Sequence, residues 1–288
     1  EMSASLVGSE MCIRDSQISF DFDALQEEEE QSSSIPESLI RPVNTDWIKD
    51  EVLFVAVRAY NDSVVANMPD HLLCGKKLID WVTNAGGDCE KKVIEDCQNI
   101  FDRLRSMNTQ KDIIAVFYSD TPLLDRATFH DVCNYFSSHH MNFLQLPRGF
   151  VIRTEYLRNV TDYAQGKAAY ENKNLMIADS ARILAFMASF LYNKILSFHI
   201  KNGVIIYGQN TVFIDADVEI DSGVVIYPNN IISGQSIVAS GTILRSGNII
   251  SDSIIAGNTT LENCFVSNSK ISQGKAVQPC SQIVNEEL

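Results

Sequence analysis

Along the last third of the chain the aliphatic positions fall on a six-residue grid. Ile214, Ile220, Ile226, Ile232, Val238, Leu244 and Ile250 recur without a slip, and four positions after the first six come Val218, Val224, Asn230, Ser236, Thr242 and Asn248. A helix needs an apolar residue every three or four positions, so this period contradicts one. Short strands joined by tight corners fit it, each unit forming one side of a triangular coil with the aliphatic anchor inside and small or polar residues at the bends. The grid continues through Ile255, Leu261, Val266, Ile271 and Val277 in steps of five and six. At about 4.8 Å per stacked strand, residues 214–283 give roughly four coils and a stack roughly 19 Å tall. No coil can bury its own face, so stacking supplies the core. An antiparallel sandwich would show period-two alternation instead.

Upstream the pattern changes. Val52-Leu-Phe-Val-Ala-Val57 predicts a buried strand, and Asp112-Ile-Ile-Ala-Val-Phe-Tyr-Ser-Asp-Thr-Pro-Leu-Leu124 an apolar strand ending in an acid and a Pro turn. Between them the reading is helical, over Lys76–Asn84 and Cys89–Met107, with no strand in the interval; Lys76-Lys77 and Lys91-Lys92 are then helix surface charges. A third helix covers Leu191–Ile200. A carboxylate at the carboxyl end of a central parallel strand lies where open α/β sheets bind ligands, which singles out Asp120. The same position suits the N-cap of a helix begun near Leu124.

Composition narrows the function classes. At 288 residues the chain has room for one large domain or two ordinary ones, and 45% apolar with 21% charged residues excludes a wholly disordered or fibrous chain. The net charge of −14 argues against nonspecific binding to nucleic acid or an anionic membrane, though not against a phosphorylated small molecule. Half of that charge sits in residues 17–50, where nine acids face only Arg41 and Lys49. Residues 17–47 read as an acidic disordered tail that cannot repay its ordering entropy by burial. Residues 1–16, which open on Glu1 and include Ser5–Ser16, look like translated sequencing adapter and lack the apolar core of a signal peptide. No run reaches the roughly 20 apolar residues needed to span a bilayer; the stretch Ile183–Ile200 is broken by Asn193, Lys194 and His199. Seven cysteines form no C-x-x-C pair and are odd in number, which points to free thiols in a reducing cytoplasm. Cys133 with His139-His140 is a weak metal candidate, since adjacent histidines point to different sides of a helix or strand; a solvated helix end is the preferred reading.

The repeat resembles the left-handed parallel β-helix of hexapeptide transferases. Asn202-Gly-Val, Ile214-Asp-Ala-Asp-Val-Glu-Ile220 and Val225-Ile-Tyr-Pro-Asn229 are similar to the entry of the β-helix in the family of bifunctional N-acetylglucosamine-1-phosphate uridyltransferase / glucosamine-1-phosphate acetyltransferase, where N-G-V precedes I-D-x-D-V-E-I and V-I-x-P-N. Met176–Leu184 and the helix after it resemble that family's linker. The implied architecture is a reduced α/β nucleotidyltransferase-like (Rossmann-like) domain over 48–175, a linker helix over 176–201 and a left-handed β-helix over 202–288. Homotrimers through the β-helix are implied as well.

The resemblance also implies site residues. Ser119-Asp-Thr-Pro-Leu123 is similar to the family's G-D-x-P-L, which puts Asp120 at the carboxylate that helps hold Mg²⁺ on the nucleotide phosphates. Asn172, in Tyr170-Glu-Asn-Lys-Asn174, takes the second metal position, with Asn174 in place of the family's Arg; an Asn in a surface turn is the alternative. Gly75-Lys76 resembles the family's G-K-P turn. Arg58 is the cation left beside the expected phosphate loop. Arg58, Gly75 and Lys76 are thus the candidate substrate-binding residues, for UTP or a nucleotide sugar.

Several parts of that chemistry are missing. Uridylyl transfer relies on positioning and charge neutralisation, which the family supplies with L-A-A-G-x-G-T-R-M followed by P-K. Here the loop reads Arg58-Ala-Tyr-Asn-Asp-Ser-Val64, so its glycines become Ala59 and Asn61, its Thr Asp62 and its Arg Ser63, while Asp70 stands for the Lys. Losing one charge-stabilising donor costs about 10²–10³ in rate. All five histidines precede the repeat, which removes the general base that acetyl transfer uses. Two readings stay open: a sugar-1-phosphate nucleotidyltransferase with a degraded phosphate loop, and a catalytically inactive homologue acting as a β-helix trimerisation scaffold or a sugar-nucleotide or protein binding module.

Overall fold

Val52–Arg58 (β1) is apolar and buried until its last position, where Arg58 is half-buried, as a parallel strand covered on both faces must be. The computed structural model describes residues 46–96, 98–159, 168–275 and 277–288. The adapter-like residues 1–16 and the acidic stretch as far as residue 45 lie outside them; the first helix among the described residues, α1 (Asp46–Glu51), begins two residues before the expected domain boundary. The strands that follow β1 are β2 (Leu72–Leu73), β3 (Lys76–Lys77), β4 (Glu90–Glu95), β5 (Ile113–Tyr118), β6 (Phe143–Gln145), β7 (Phe150–Arg153) and β8 (Ala168–Ala169). Five of them join β1 in one six-stranded mixed sheet in the order β4-β1-β5-β7-β6-β8. Its β4, β1 and β5 run parallel, and β7 is antiparallel to both of its neighbours.

Alternation along β1 builds two cores. Phe54 and Ala56 face Ile79 and Val82 of α2 (Leu78–Ala85) and Phe129 and Val132 of α4 (Arg126–Ser138). Leu53, Val55 and Val57 face Ile100 and Leu104 of α3 (Ile100–Ser106) and Leu157 of α5 (Thr154–Asn159). Phe54 stacks on Phe117 at 5.3 Å and meets Phe129 edge-on at 5.1 Å.

The helix expected over Cys89–Met107 is corrected. Its first part is the edge strand β4 and only Ile100–Ser106 is helical. Lys91 and Lys92 therefore sit on a sheet edge, where charge is a common device against edge-to-edge pairing. Lys76 and Lys77 likewise belong to the β2–β3 hairpin and not to a helix. His139 ends α4 as its exposed C-cap.

Helix α6 (Ala181–Lys201) is capped by Ser180, whose hydroxyl accepts from the Ile183 N–H at 3.4 Å. Contrary to the sequence expectation it is long and apolar enough, by length and composition, to cross a membrane. In this fold it buries Leu184, Met187 and Leu191 against Met68, Leu73 and Leu78, and its Leu196 joins the core of the coil that follows.

From Ile205 onward, pairs and triplets of residues form three parallel sheets, of five, four and four strands. Ile231 pairs with Phe213 before it and Ile249 after it, an 18-residue turn of three six-residue units. The later pairing of Ile249 with Phe265 shortens the turn, as the mixed five- and six-residue steps require. The anchors Ile214, Ile226, Ile232, Val238, Leu244 and Ile250 are fully buried, and these stacked parallel strands are consistent with a β-helix. The small polar positions are also inside. Asn230, Ser236, Thr242 and Asn248 have no exposed surface and bond from coil to coil: Asn248 Nδ2 donates to Asn230 Oδ1 at 2.9 Å, while its own Oδ1 accepts from the Cys264 N–H at 2.9 Å. Such pairing offsets the cost of burying amides.

Candidate functional site

The carboxyl ends of β1, β4 and β5 converge on one edge of the sheet, the edge at which open α/β folds place ligands. Arg58 closes β1, Glu95 pairs with it at the end of β4, and Ser119 and Asp120 follow β5. The Ser119 hydroxyl accepts from the Ala59 N–H at 2.9 Å and ties the two loops together.

Arg58 is spent on neighbours. Its guanidinium forms a close ion pair with Asp70, lies 3.4 Å from the Glu95 carboxylate and donates to the Tyr60 hydroxyl at 3.3 Å. Lys77 Nζ reaches the other oxygen of Asp70 at 3.1 Å. These bonds raise the Arg58 pKa above its ordinary value, Tyr60 contributing most and then Asp70. They hold the Asp70 carboxyl below its usual range through Arg58 first and Lys77 second.

Asp120 is paired as well. Arg148, in the turn between β6 and β7, donates from Nε to Asp120 Oδ2 at 2.9 Å, lies with its guanidinium carbon 4.2 Å from the centre of the Tyr118 ring, and points Nη2 at Asp96, 3.9 Å away. Asp120 itself is buried, and its Oδ1 has no hydrogen-bond partner. Burial pushes the Asp120 carboxyl up and Arg148 opposes that shift. Asp120 does not cap the helix after it; that helix starts at Arg126, and Asp125 is its cap, accepting from the Thr128 N–H at 2.9 Å.

The other sequence candidates lie on different elements. Gly75 and Lys76 form the β2–β3 turn against the first coil, with Lys76 Nζ 2.6 Å from Asp217 and the Cys74 carbonyl accepting from the Ala216 N–H at 3.0 Å. Asn172 caps the short 3₁₀ turn Lys173–Leu175, its Oδ1 accepting from the Asn174 N–H at 2.9 Å, and Asn174 Nδ2 donates to Thr128. The structure thus brings Arg58 and Asp120 to one edge together with Asp70, and adds Asp96 and Arg148 as partners that sequence reasoning did not single out. Arg148 lies in Leu146-Pro-Arg-Gly149, a turn signature whose charge gave the only hint.

Curated relatives agree with the resemblance over part of the chain. Over 112 residues the chain is 30% identical to the bifunctional protein GlmU of Clostridium kluyveri, a match that takes in 39% of this chain and 23% of that protein. The bifunctional protein GlmU of Streptococcus thermophilus strain CNRZ 1066 is 35% identical over 100 residues, 35% of this chain and 22% of its own length. The relationship is GlmU-like. The match spans about a quarter of the length of these GlmU proteins. No family model matches the chain. The solved structure of Rv0371c from Mycobacterium tuberculosis H37Rv aligns with 48% of this chain and 96% of its own at a TM-score of 0.34 and 9% identity.

The donors do not fit the Mg²⁺ that the GlmU-like resemblance implies. Mg²⁺ is held by one or two carboxylates together with water and substrate phosphates. Here one Asp120 oxygen is held by a guanidinium, the Asn172 oxygen is spent on its turn, and no group of three His, Cys, Asp or Glu side chains converges among the described residues.

Proposed function

We propose that this chain is a homologue of the sugar-1-phosphate nucleotidyltransferases that no longer transfers uridylyl groups, and that its left-handed β-helix, over 202–288, serves as a trimerisation scaffold. In this reading the reduced nucleotidyltransferase-like domain, over 48–175, and the linker, over 176–201, carry a binding surface for a sugar nucleotide or a protein in the cytoplasm. The similarity to GlmU proteins supports the ancestry. The observation that carries the loss of catalysis is that the two arginines at the sheet edge, Arg58 and Arg148, are already committed to Asp70 and Asp120. A triphosphate would have to break those pairs, and it would meet Asp62, Asp70 and Asp96 where neutral or basic groups are needed to offset its charge.

Calorimetry with UTP and Mg²⁺, with Asp120→Ala as the control, tests the loss of catalysis. The expected result is no heat at millimolar nucleotide; binding that Asp120→Ala removes would restore the second reading, an active uridylyltransferase resembling UDP-N-acetylglucosamine pyrophosphorylase, which the placement of Asp120 at the end of β5 favours. Sedimentation of the whole chain and of a chain ending at Lys201 tests the scaffold. A trimer that dissociates on truncation is expected, and a monomeric whole chain would overturn it.

A further inference from the structure

One guanidinium bridges two carboxylates at the sheet edge. Arg148 binds Asp120 through Nε at 2.9 Å and faces Asp96 through Nη2 at 3.9 Å, while Tyr118 supports it from the side. The Asp120 side chain is only 9% exposed, and its Oδ1 is buried without a partner. Carboxylate oxygens are the ligand type that hard divalent cations take, and here a buried carboxylate with an unspent oxygen and a second carboxylate are both reached by one guanidinium. Asp96 follows β4 and Asp120 follows β5, the two strands that flank β1.

We propose that Arg148 is a built-in cation standing where a divalent ion would sit between Asp96 and Asp120, so that this edge is metal-independent and its latent cation site opens only when Arg148 is removed. The inference deepens the reading of an edge closed by ion pairs and rests on it. Its physical basis is that a buried carboxylate needs a counter-charge. Arg148 supplies one that is covalently tethered, stacked on an aromatic ring and always protonated.

The test is rescue by metal, read as melting temperature and not as activity. Arg148→Ala is expected to melt lower than the parent chain in EDTA. It should recover about 3–6 °C in 10 mM Mg²⁺ or Mn²⁺, the shift that a site of submillimolar to millimolar affinity gives a domain of this size. The parent chain should not respond, and Asn at position 120, in Arg148→Ala/Asp120→Asn, should abolish the recovery. Failure of Arg148→Ala to respond to either metal overturns the proposal. Should that variant not fold, a Mn²⁺ titration of the parent chain by paramagnetic resonance decides alone. Spectra that are the same in the parent and in Asp120→Asn support the proposal, and a site in the parent that Asp96→Asn and Asp120→Asn both remove overturns it. Neither readout uses a nucleotide, so a failure here is separate from a failure of the calorimetry above.

Discussion

Gly75 lies so close to Asp215 that a β-carbon on it would stand 2.5 Å from the Asp215 Cγ. Its φ of +79° is also left-handed, a conformation that costs a side-chain-bearing residue about 1–3 kcal/mol. The close approach is what lets the hairpin dock on the first coil through the Cys74 carbonyl and the Lys76–Asp217 pair. Gly75→Ala should therefore lose more stability in urea than Gly274→Ala, which shares a positive φ of +68° but has nothing within 4 Å. Equal losses would mean that only backbone strain matters and that the contact carries nothing.

Arg58 and Asp70 make a second prediction. Asp70 neutralises Arg58 and holds Lys77 as well, so Asp70→Asn should release two cations at the carboxyl end of β1. Exposed ion pairs are weak, so affinity for inorganic pyrophosphate should rise only a few-fold, up to about fivefold. Isothermal calorimetry at low salt checks this. An unchanged or weaker affinity would show that Asp70 is not what keeps anions away.

Ile249 and Ile250 are neighbours on one strand with opposite fates: Ile250 is fully buried and Ile249 is 43% exposed. Ile250→Ala should cost about 2–5 kcal/mol, the usual loss for a large-to-small change in a packed core. Ile249→Ala should stay within about 0.5 kcal/mol in a dilute, dissociated chain. Urea midpoints for both variants measure the difference. A loss at Ile249 that grows with protein concentration would place this face, with Phe213, Ile231 and Phe265 in register beside it, inside an assembly.

The coil was legible because each six-residue unit repeats the same demand, one aliphatic residue in and one small residue at the corner, so the pattern reinforces itself over some 70 residues. What the pattern did not show is that the corner residues are themselves buried, because Asn230 and Asn248 satisfy their amides through their own coil and the neighbouring one, with partners from 3 to 18 residues away. The sheet edge was harder. Glu90-Lys-Lys-Val-Ile-Glu95 is an edge strand in which only Ile94 is buried, and with so little hydrophobic signal its charges read as a helix surface. That misreading hid Asp96. Asp120 stood out at the end of an apolar run, but its partner Arg148 lies 28 residues on in a turn, and local spacing cannot report a contact that only the antiparallel return of β7 creates.

His199 gives the last prediction, and it concerns acid stability. The imidazole is 4% exposed near the end of α6, and burial lowers its pKa below the ordinary value. The unfolded chain takes up the proton near pH 6.5, whereas the folded chain resists it until the pH is lower. Below about pH 6.5 the unfolded state therefore binds more protons, and stability must fall as the pH drops. His130, which burial also shifts downward, contributes in the same direction. His199→Leu removes one of the two groups while keeping an apolar side chain in the same space. Its urea midpoint should decline less steeply than that of the parent between about pH 6.5 and about pH 5, whatever the two midpoints are at neutral pH. Parallel curves would mean that the folded chain protonates His199 as readily as the unfolded one, and so that burial at the end of α6 does not exclude the charge.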